Sequence, residues 1–395
     1  MKVIQTALGK SQNFHLARYL HRQNALECIF TGFPWFKLKE ELIPKEKVKT
    51  FPWLLTPFLA GTHISLLGKF RDLNWIYPHW IYWHQALLDK YVSYNLKECD
   101  VFIGQSQNGL LTGAKAKQMG ALYICDRPCS HIRYQSEIMK EELSIWKIKP
   151  VPINSVDPRS VFVEEKEYEL ADFVVVPSEF ARKSFIEKGF SKNKIIKISL
   201  GSDLSRFKRI SEPDPETFTA IFVAQGSIRK GFLYLLEAFN KLKIEKKRLI
   251  VIGARCKDER EIIKLTKMNV SQVEFHDHAD YLNLYKFYNQ AHVFVLPSIE
   301  DGFGMVVSQA MACGCPVIVS ENTGAADIIE NGKEGFIVPI RNANILAEKM
   351  QQLYEDKGLR EKMSQAAEKK IKDLDGWDTY GKNYYEFLKA NLKNK

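Results

Sequence analysis

The chain has 395 residues, enough for two α/β domains with a core each. Hydrophobic residues make up 45% of it and charged residues 26%, a balance that argues against intrinsic disorder. The net charge of +10 favours polyanionic partners, which are phosphates, nucleic acid or an anionic membrane surface. The seven cysteines are odd in number and lack the paired spacing of a zinc site, so we expect no metal and a reducing, cytoplasmic setting.

Short apolar runs alternate with helical patterns along the whole chain. The apolar runs predict strands at Lys2–Thr6, Asp100–Gln105, Ala121–Cys125, Phe173–Pro177, Ile195–Leu200, Thr219–Ala224, Arg248–Gly253, Val273–Phe275, Val293–Pro297, Pro316–Ser320 and Phe336–Pro339. Helices are predicted between them, for example at Phe14–Gln23, Phe180–Lys188, Phe232–Lys243 and Met305–Ala312. Near-continuous apolar strands joined by helices are typical of parallel sheets that are covered on both faces. Because the first residues already form a strand, we expect no signal peptide.

The series of strands restarts near residue 217, after a polar, turn-rich segment at Gly201–Glu216. We interpret this segment as an interdomain linker. The prediction is an α/β fold with two Rossmann-like, doubly wound parallel-sheet domains, residues 1–205 and 206–375, that face a central cleft. The remaining residues, 376–395, carry aromatics at helical spacing, so we expect a last helix that packs back on the first domain.

Residues 51–94 hold eleven aromatic side chains and follow the lysines of Lys37–Lys49. The stretch Thr50–Gly68 has no Asp, Glu, Lys or Arg, but prolines and glycine interrupt it, so we expect a buried or interfacial segment rather than a spanning helix. The pattern suggests a peripheral contact with an anionic membrane. A Trp-rich core or an acceptor groove would produce the same pattern.

The most informative run is Val293–Ser320, which reads as strand, loop, helix and strand. Gly302 and Gly304 in the loop would let a ligand approach the backbone closely. The helix that opens near Met305 would present unpaired N–H groups and a partial positive charge, which suits a diphosphate. A plain α/β crossover with a glycine-containing loop would have the same spacing.

Two polar residues of this run add candidate contacts for a sugar and a ribose on either side of the diphosphate. Asp301 precedes the helix and can accept hydrogen bonds from sugar hydroxyls. Gln309 lies about 6 Å further along the helix axis, within reach of a ribose beyond the diphosphate.

The run resembles the signature of the retaining glycosyltransferases of family 4, which have the GT-B fold. The matching positions are Gly302, Phe303, Gly304, Ala310, Met311, Ala312, Gly314, Pro316 and Val317. The sequence departs at both carboxylates of that signature. Asp301 stands for the first Glu, with Glu300 one position early, and Gln309 stands for the second.

A second segment, Phe222–Phe239, follows the same family's strand, Gly-Arg loop and Lys-Gly. Lys230 and Gly231 match, Gln225 stands where the family often has Arg, and Arg229 lies beside the Lys. Two cations at the start of a helix suit a leaving diphosphate. The alternative is a solvated Arg-Lys turn.

The first domain offers a third candidate group. The segment Cys125–Gln135 follows a strand end and would therefore face the cleft, where His131 and Arg133 could contact the acceptor or the donor sugar.

The resemblance implies a hexosyltransferase-type enzyme that moves a sugar from a nucleotide-sugar donor to a sugar or lipid-linked glycan acceptor. It further implies retention of configuration, no metal or other cofactor, and a role in polysaccharide or glycoconjugate biosynthesis. The cysteine content and the aromatic region at residues 51–94 add the expectation of a cytoplasmic protein with a peripheral contact at the inner face of the membrane. The predicted catalytic residues are Asp301, Lys230 and Arg229, from the resemblance, and His131, from its position after a strand end. The implied donor-binding residues are Gln225, Gly302, Phe303, Gly304, Met305 and Gln309.

Four other functions remain as alternatives. A GT-B-like sugar-nucleotide epimerase and a catalytically weak nucleotide-sugar-binding protein would share the architecture. A glycosidase needs two carboxylic acids facing one bond, and Asp301 has no evident partner. A nucleic-acid-binding protein predicts a Lys/Arg stripe with stacking aromatics, whereas the aromatics here cluster where charge is sparse, so we expect no nucleic-acid partner.

Overall fold

The computed structural model describes residues 1–60, 76–150, 155–224, 228–253, 257–277, 280–372, 374 and 376–392. Two parallel sheets organise these residues. The first sheet has the strand order β3-β2-β1-β4-β5-β6-β7, and the second has the order β10-β9-β8-β11-β12-β13. The strands are β1 (Val3–Ala7), β2 (Leu26–Thr31), β3 (Val48–Thr50), β4 (Val101–Gln105), β5 (Leu122–Asp126), β6 (Phe173–Val176), β7 (Ile195–Lys197), β8 (Phe218–Val223), β9 (Lys247–Ile252), β10 (Val273–His276), β11 (Val293–Leu296), β12 (Val317–Ser320) and β13 (Gly335–Val338).

Helices cover both sheets and connect the strands. The α-helices of the described residues are α1 (Gln12–Arg22), α2 (Leu55–Ala60), α3 (Tyr77–Asn95), α4 (Leu110–Gln118), α5 (Ile132–Ile145), α6 (Pro158–Leu170), α7 (Glu179–Glu187), α8 (Phe232–Lys241), α9 (Lys257–Thr266), α10 (Leu284–Tyr288), α11 (Met305–Ala312), α12 (Ala343–Glu355), α13 (Lys357–Lys372) and α14 (Trp377–Leu392). Several begin at a side chain that caps the free backbone N–H groups, as Ser178 does for α7 and Asn342 for α12.

The predicted fold class is confirmed, because both sheets are parallel, doubly wound and covered by helices. All eleven predicted strands are present, with ends that shift by a few residues. Two strands of the first sheet, β2 and β3, were not predicted. A glutamate interrupts the apolar run of β2, and β3 is a three-residue edge strand with Lys49 at its centre, so neither has the continuous apolar pattern of the other strands.

The last helix returns to the first domain. Tyr380, Tyr384 and Leu388 of α14 lie in the core of the first sheet together with Phe14 of α1. The two helices approach so closely that a Cβ added to Gly381 would overlap the ring of Tyr19. The C-terminal segment therefore packs on the first domain, and its start lies against Gly201 at the beginning of the linker segment.

The uncharged stretch at Thr50–Gly68 is described only as far as Ala60, and its remaining residues lie outside the described part of the chain. Within it, Leu55–Ala60 form α2, and the indole N–H of Trp80 in α3 donates to the carbonyl of Leu54 at 3.0 Å. Within the described ranges, no helix has both the length and the apolar character needed to cross a bilayer.

Candidate functional site

The candidate site lies where the strand order of the second sheet reverses. Strands β8 and β11 are neighbours there, and the chain leaves them toward opposite ends of the sheet, which is the topological position at which α/β proteins bind ligands. A cavity of about 580 Å³ opens at the carboxyl ends of these two strands. Its lining comes from both domains and comprises Pro128, Leu200, Val223, Ala224, Arg229, Lys230, Leu296, Asp301, Phe303, Gly304, Met305 and Val306.

Two glycines shape the turns that lead from these strands into helices. Gly231 has a left-handed backbone (φ +72°), and a Cβ there would overlap the carbonyl oxygen of Pro297. Gly304 is also left-handed (φ +77°) and directly precedes α11, which has no side-chain cap. Met305 begins α11 at the cavity wall, so the uncapped N–H groups of its first turn offer an anion site.

The cations and carboxylates of the site form two ion pairs that join its two loops. The Nζ of Lys230 lies 2.5 Å from Asp301 Oδ2. The Nη1 of Arg229 lies 2.9 Å from Glu300 Oε2 and donates to the Glu300 carbonyl at 3.0 Å. The backbone N–H of Ile299 donates to the Arg229 carbonyl at 2.8 Å. The loops after β8 and β11 are therefore held as one unit that presents two cations at the cavity wall.

Glu300 is a fully buried carboxylate, with 0% of its surface exposed. Its Oε1 accepts hydrogen bonds from the backbone N–H of Ser130 at 3.2 Å and from the Ser130 hydroxyl at 2.8 Å, and its Oε2 accepts one from Gln135 Nε2 at 2.9 Å. Burial by itself raises the pKa of Glu300, but the Arg229 guanidinium and the hydrogen bonds from Ser130 outweigh it and hold the pKa below its ordinary value. The carboxylate is thus charged and bound by both domains. We call Arg229, Glu300, Ser130 and Gln135 the Glu300 network.

The sequence alone predicts no role for Glu300. The resemblance places the functional acidic residue at position 301, and nothing in a single sequence shows that Ser130 and Gln135, about 170 positions earlier, come within hydrogen-bonding distance. The available signal was the pair of adjacent acidic residues facing the adjacent cations Arg229 and Lys230.

The two domains are in direct contact at the glycine-containing loop. A Cβ added to Gly302 would overlap the carbonyl oxygen of Pro128 in the first domain. The carbonyl of Gly302 accepts a hydrogen bond from the Ser178 hydroxyl at 2.7 Å, and Asn322 Nδ2 donates to the Tyr134 hydroxyl at 3.2 Å. The absence of a side chain at Gly302 is therefore required for the close contact between the two domains. This requirement is separate from the expected close approach of a ligand to the backbone of this loop.

Six of the predicted site residues line the cavity or its immediate wall. Arg229, Lys230, Asp301, Phe303, Gly304 and Met305 are lining residues, and Gly302 lies between two of them in the loop. Gln225 lies outside the described residues. Gln309 is 7% exposed, accepts a hydrogen bond from the Tyr288 hydroxyl at 3.3 Å, and is not part of the cavity lining.

The structure places His131 away from the cavity. Its imidazole is fully buried against the rings of Tyr168, Phe185 and Phe190. Its Nδ1 accepts from the backbone N–H of Arg133 at 3.1 Å and caps α5. Burial, together with the nearby positive charges of Arg127 and Arg133, lowers the pKa of His131 to about 3. His131 is thus a buried helix cap in this structure, outside the lining of the cavity at the switch point.

A second cavity, of about 460 Å³, lies in the first domain at the carboxyl ends of β4 and β5. Its lining includes Tyr82, Gln107, Arg127 and Gln135. Gln107 has a left-handed backbone (φ +73°) that is unusual for a residue other than glycine, and its N–H donates to the buried Glu167 carboxylate at 2.6 Å. Strain of this kind is concentrated at functional sites. The cavity is a candidate acceptor site on the first-domain side of the cleft.

Comparisons with known proteins agree with this geometry. Residues 204–370 match the model of the family described as "Glycosyl transferases group 1". The capsular polysaccharide biosynthesis glycosyltransferase CapM of Staphylococcus aureus is 27% identical over 282 residues, which are 64% of this chain and 73% of CapM. Several other curated relatives are matched over only about half of their length.

Solved structures extend the likeness to the whole chain. Sucrose-phosphate synthase from Thermosynechococcus elongatus superposes with a TM-score of 0.71 at 18% identity, covering 100% of both chains. The Anabaena HepE protein in complex with UDP superposes with a TM-score of 0.69 at 14% identity, covering 99% of this chain and 100% of HepE. At these identities the likeness establishes the fold. The chain thus has the two-domain GT-B fold. The match of residues 204–370 to the glycosyl transferases group 1 family supports glycosyltransferase activity.

Proposed function

We propose that the chain is a glycosyltransferase that moves a sugar from a nucleotide-sugar donor to a sugar or lipid-linked glycan acceptor, in polysaccharide or glycoconjugate biosynthesis. The main observation in its favour is the cavity where the strand order of the second sheet reverses. Arg229, Lys230 and the uncapped start of α11 all lie at its wall. Two cations and a helix N-terminus around one cavity suit the diphosphate of a nucleotide sugar. The UDP complex of HepE and the polysaccharide role named for CapM support the proposal.

In this proposal the second domain stabilises the leaving group. The diphosphate lies against Lys230, Arg229 and the N–H groups at Met305, which are fixed before the reaction and face the charge that grows as the sugar departs. Asp301 holds Lys230 at 2.5 Å and can accept hydrogen bonds from the hydroxyls of the donor sugar. Gly302 and Phe303 place the loop against the donor. His131 and Gln309 have no direct contact with the donor in this account.

We further propose that transfer proceeds with retention and without a metal ion. The bond between the anomeric carbon and the phosphate oxygen breaks, and the acceptor oxygen bonds to the same face of that carbon. The acceptor's hydroxyl proton passes to the leaving phosphate. The chain then needs to supply positive charge and no nucleophile, and Lys230 and Arg229 supply it. Proton NMR of the product's anomeric linkage tests retention.

A thermal-stability screen with UDP-, GDP- and ADP-sugars tests the proposed donor class. A ligand that binds only the native state at 100 times its Kd stabilises it by about 2.7 kcal/mol. We expect one nucleotide series to raise the melting temperature, and the free sugars to leave it unchanged. Product analysis with the donor alone then separates a transferase from an epimerase, because an epimerase converts the donor without an acceptor. If no nucleotide or sugar nucleotide raised the melting temperature, the proposed function would be wrong.

A peripheral membrane contact is a further part of the proposal. Three large apolar residues of helix α3 are solvent-exposed: the exposed fractions of Trp83, Leu87 and Tyr94 are 57%, 44% and 77%. Lys90 lies on the same face of the helix, because these four residues are three or four positions apart. Large exposed apolar side chains beside a lysine are typical of surfaces that bind anionic lipid headgroups from the cytoplasmic side.

Vesicle co-sedimentation tests the membrane contact. We expect the protein to sediment with phosphatidylglycerol vesicles. The double variant Trp83→Ser/Leu87→Ser is expected to sediment several-fold less, because it has lost the apolar side chains that enter the membrane interface. The exposed Leu282 of the second domain supplies a control, Leu282→Ser, that leaves sedimentation unchanged. Equal sedimentation of all variants, or none with wild type, would remove this part of the proposal.

A further inference from the structure

The Glu300 network lies between the two cavities. Arg229 lines the cavity of the second domain, and Gln135 lines the cavity of the first. The Oε2 atom of Glu300 accepts from Arg229 Nη1 at 2.9 Å and from Gln135 Nε2 at 2.9 Å. One buried carboxylate therefore accepts a hydrogen bond directly from a lining residue of each cavity.

The contacts of Glu300 depend on closure of the two domains. Three of its hydrogen bonds, from the N–H and hydroxyl of Ser130 and from Gln135, come from the first domain. If the domains separate, these donors leave and water replaces them. The remaining Arg229–Glu300 pair is then solvent-screened, and exposed ion pairs hold their side chains only weakly. The orientation of Arg229 is thus tied to the closed arrangement.

The first-domain side of the network is itself fixed by a buried cation. Arg127 donates through Nη2 to Gln135 Oε1 at 2.9 Å and through Nε to the Ser130 carbonyl at 3.0 Å. Its Nη1 pairs with the fully buried Glu164 at 2.9 Å. Ser130 and Gln135 are therefore held in position by the same residue that lines the first-domain cavity.

We propose that Glu300 is a positioning residue that couples closure of the two domains, and with it the first-domain cavity, to the orientation of Arg229 in the donor cavity. Asp301 forms an ion pair with Lys230, and the adjacent Glu300 forms one with Arg229. The inference rests on the proposed function for the nature of the ligand that Arg229 contacts, which is a nucleoside diphosphate.

The substitution Glu300→Gln separates the two sides of the network. The amide oxygen can still accept from Ser130, whereas the amide NH₂ then faces Arg229 and Gln135, which are both donors. We expect the affinity for UDP, or for whichever of UDP, GDP and ADP binds wild type, to fall about tenfold, because Arg229 is no longer held toward the cavity. Isothermal calorimetry measures the change.

The chain offers a matched control in Glu142. This glutamate is also 0% exposed and pairs across the domains, with Arg341 Nε at 2.8 Å, but it lies outside the lining of both cavities. Glu142→Gln removes a buried interdomain ion pair of the same kind. We expect it to lower the melting temperature yet leave the nucleotide affinity within about twofold of wild type.

Two further variants distinguish positioning from a general loss of stability. Ser130→Ala removes one hydrogen bond to Glu300 from the first domain, away from the donor cavity, and is expected to weaken nucleotide binding about threefold. Arg229→Gln is combined with Glu300→Gln in a double-mutant cycle. Because Glu300 acts through Arg229, the double variant is expected to lose no more affinity than Arg229→Gln alone, whereas independent effects would multiply.

Amide hydrogen exchange without nucleotide provides a readout that does not depend on the ligand. We expect faster exchange at residues 228–231 and 299–301 in Glu300→Gln and unchanged exchange there in Glu142→Gln. If wild type bound none of the three nucleotides but this exchange pattern held, the proposed function would fail and the positioning role would stand. Unchanged exchange in Glu300→Gln, equal affinity losses in both glutamate variants, or multiplicative losses in the cycle would each overturn the inference.

Discussion

Replacing Lys230 by alanine is expected to slow sugar transfer by about 10²–10³-fold at a saturating, confirmed donor, because one preorganised cation facing the leaving diphosphate is lost. Lys230 lies at the cavity wall, 15% exposed, and its ammonium is fixed 2.5 Å from Asp301. Its contribution grows with the negative charge on the leaving group, so kcat is expected to fall more than KM rises. Steady-state kinetics with the donor identified by the thermal screen measure both.

The control for this variant is Lys241→Ala. Lys241 belongs to the same domain, at the end of α8, where it pairs with Glu237 at 2.6 Å and is 42% exposed. A single exposed ion pair contributes about 0–1 kcal/mol to stability, so this variant is expected to transfer sugar at the wild-type rate. If Lys230→Ala kept the full rate with a confirmed donor, the placement of the diphosphate would be wrong.

A second large effect is expected from Gly302→Ala. The backbone of Gly302 has no positive φ, so alanine is not strained by its own conformation. The added methyl group would instead overlap the carbonyl oxygen of Pro128 and push the two domains apart. A displacement of about 1 Å at a reacting centre can cost about 10²-fold in rate, and we expect a loss of that order. Kinetics and the radius of gyration from small-angle scattering are the two measurements.

Gly376→Ala is the matched control for the glycine variant. No atom lies within 4 Å of a Cβ added at Gly376. The same glycine-to-alanine change there is expected to leave both the rate and the radius of gyration at wild-type values. Wild-type activity of Gly302→Ala would show that the closed contact between Gly302 and Pro128 is not needed for transfer.

The fold was predictable because its signals are local. Each buried parallel strand is a short continuous apolar run, and eleven of these runs became strands. The strands β2 and β3 lack that pattern because a glutamate and a lysine occupy them, and pairing with β1 and with each other stabilises them instead. That stabilisation comes from tertiary contacts, which a window of sequence does not contain.

The grouping of the two candidate donor-site segments was predictable for the same reason. The strand–loop–helix at Val293–Cys313 and the Arg229–Lys230 pair each lie within one local segment, and the parallel topology brings the two segments together. The burial of His131 was not predictable, because it depends on contacts that are distant in sequence. Its position after a strand end indicated the cleft, but the side chain turns back to cap α5 beneath Tyr168, Phe185 and Phe190, which are distant in sequence.

The interdomain contacts were not predictable from the sequence. Ser130, Gln135 and Ser178 reach the loop at 300–302 only because the domains close, and each contact depends on the positions of two separately folded sheets. Glu300 is the clearest case, since its neighbours on the chain give no reason for a fully buried carboxylate.

The most direct test of the central claim is a titration of wild type and Lys230→Ala, side by side, with the sugar nucleotide selected by the thermal screen. If the diphosphate lies between Lys230 and the start of α11, wild type gains stability with ligand concentration, and the variant needs at least about tenfold more ligand for the same gain, which corresponds to about 1.4 kcal/mol of binding free energy. Superimposable titrations of the two proteins would place the diphosphate elsewhere and contradict the account.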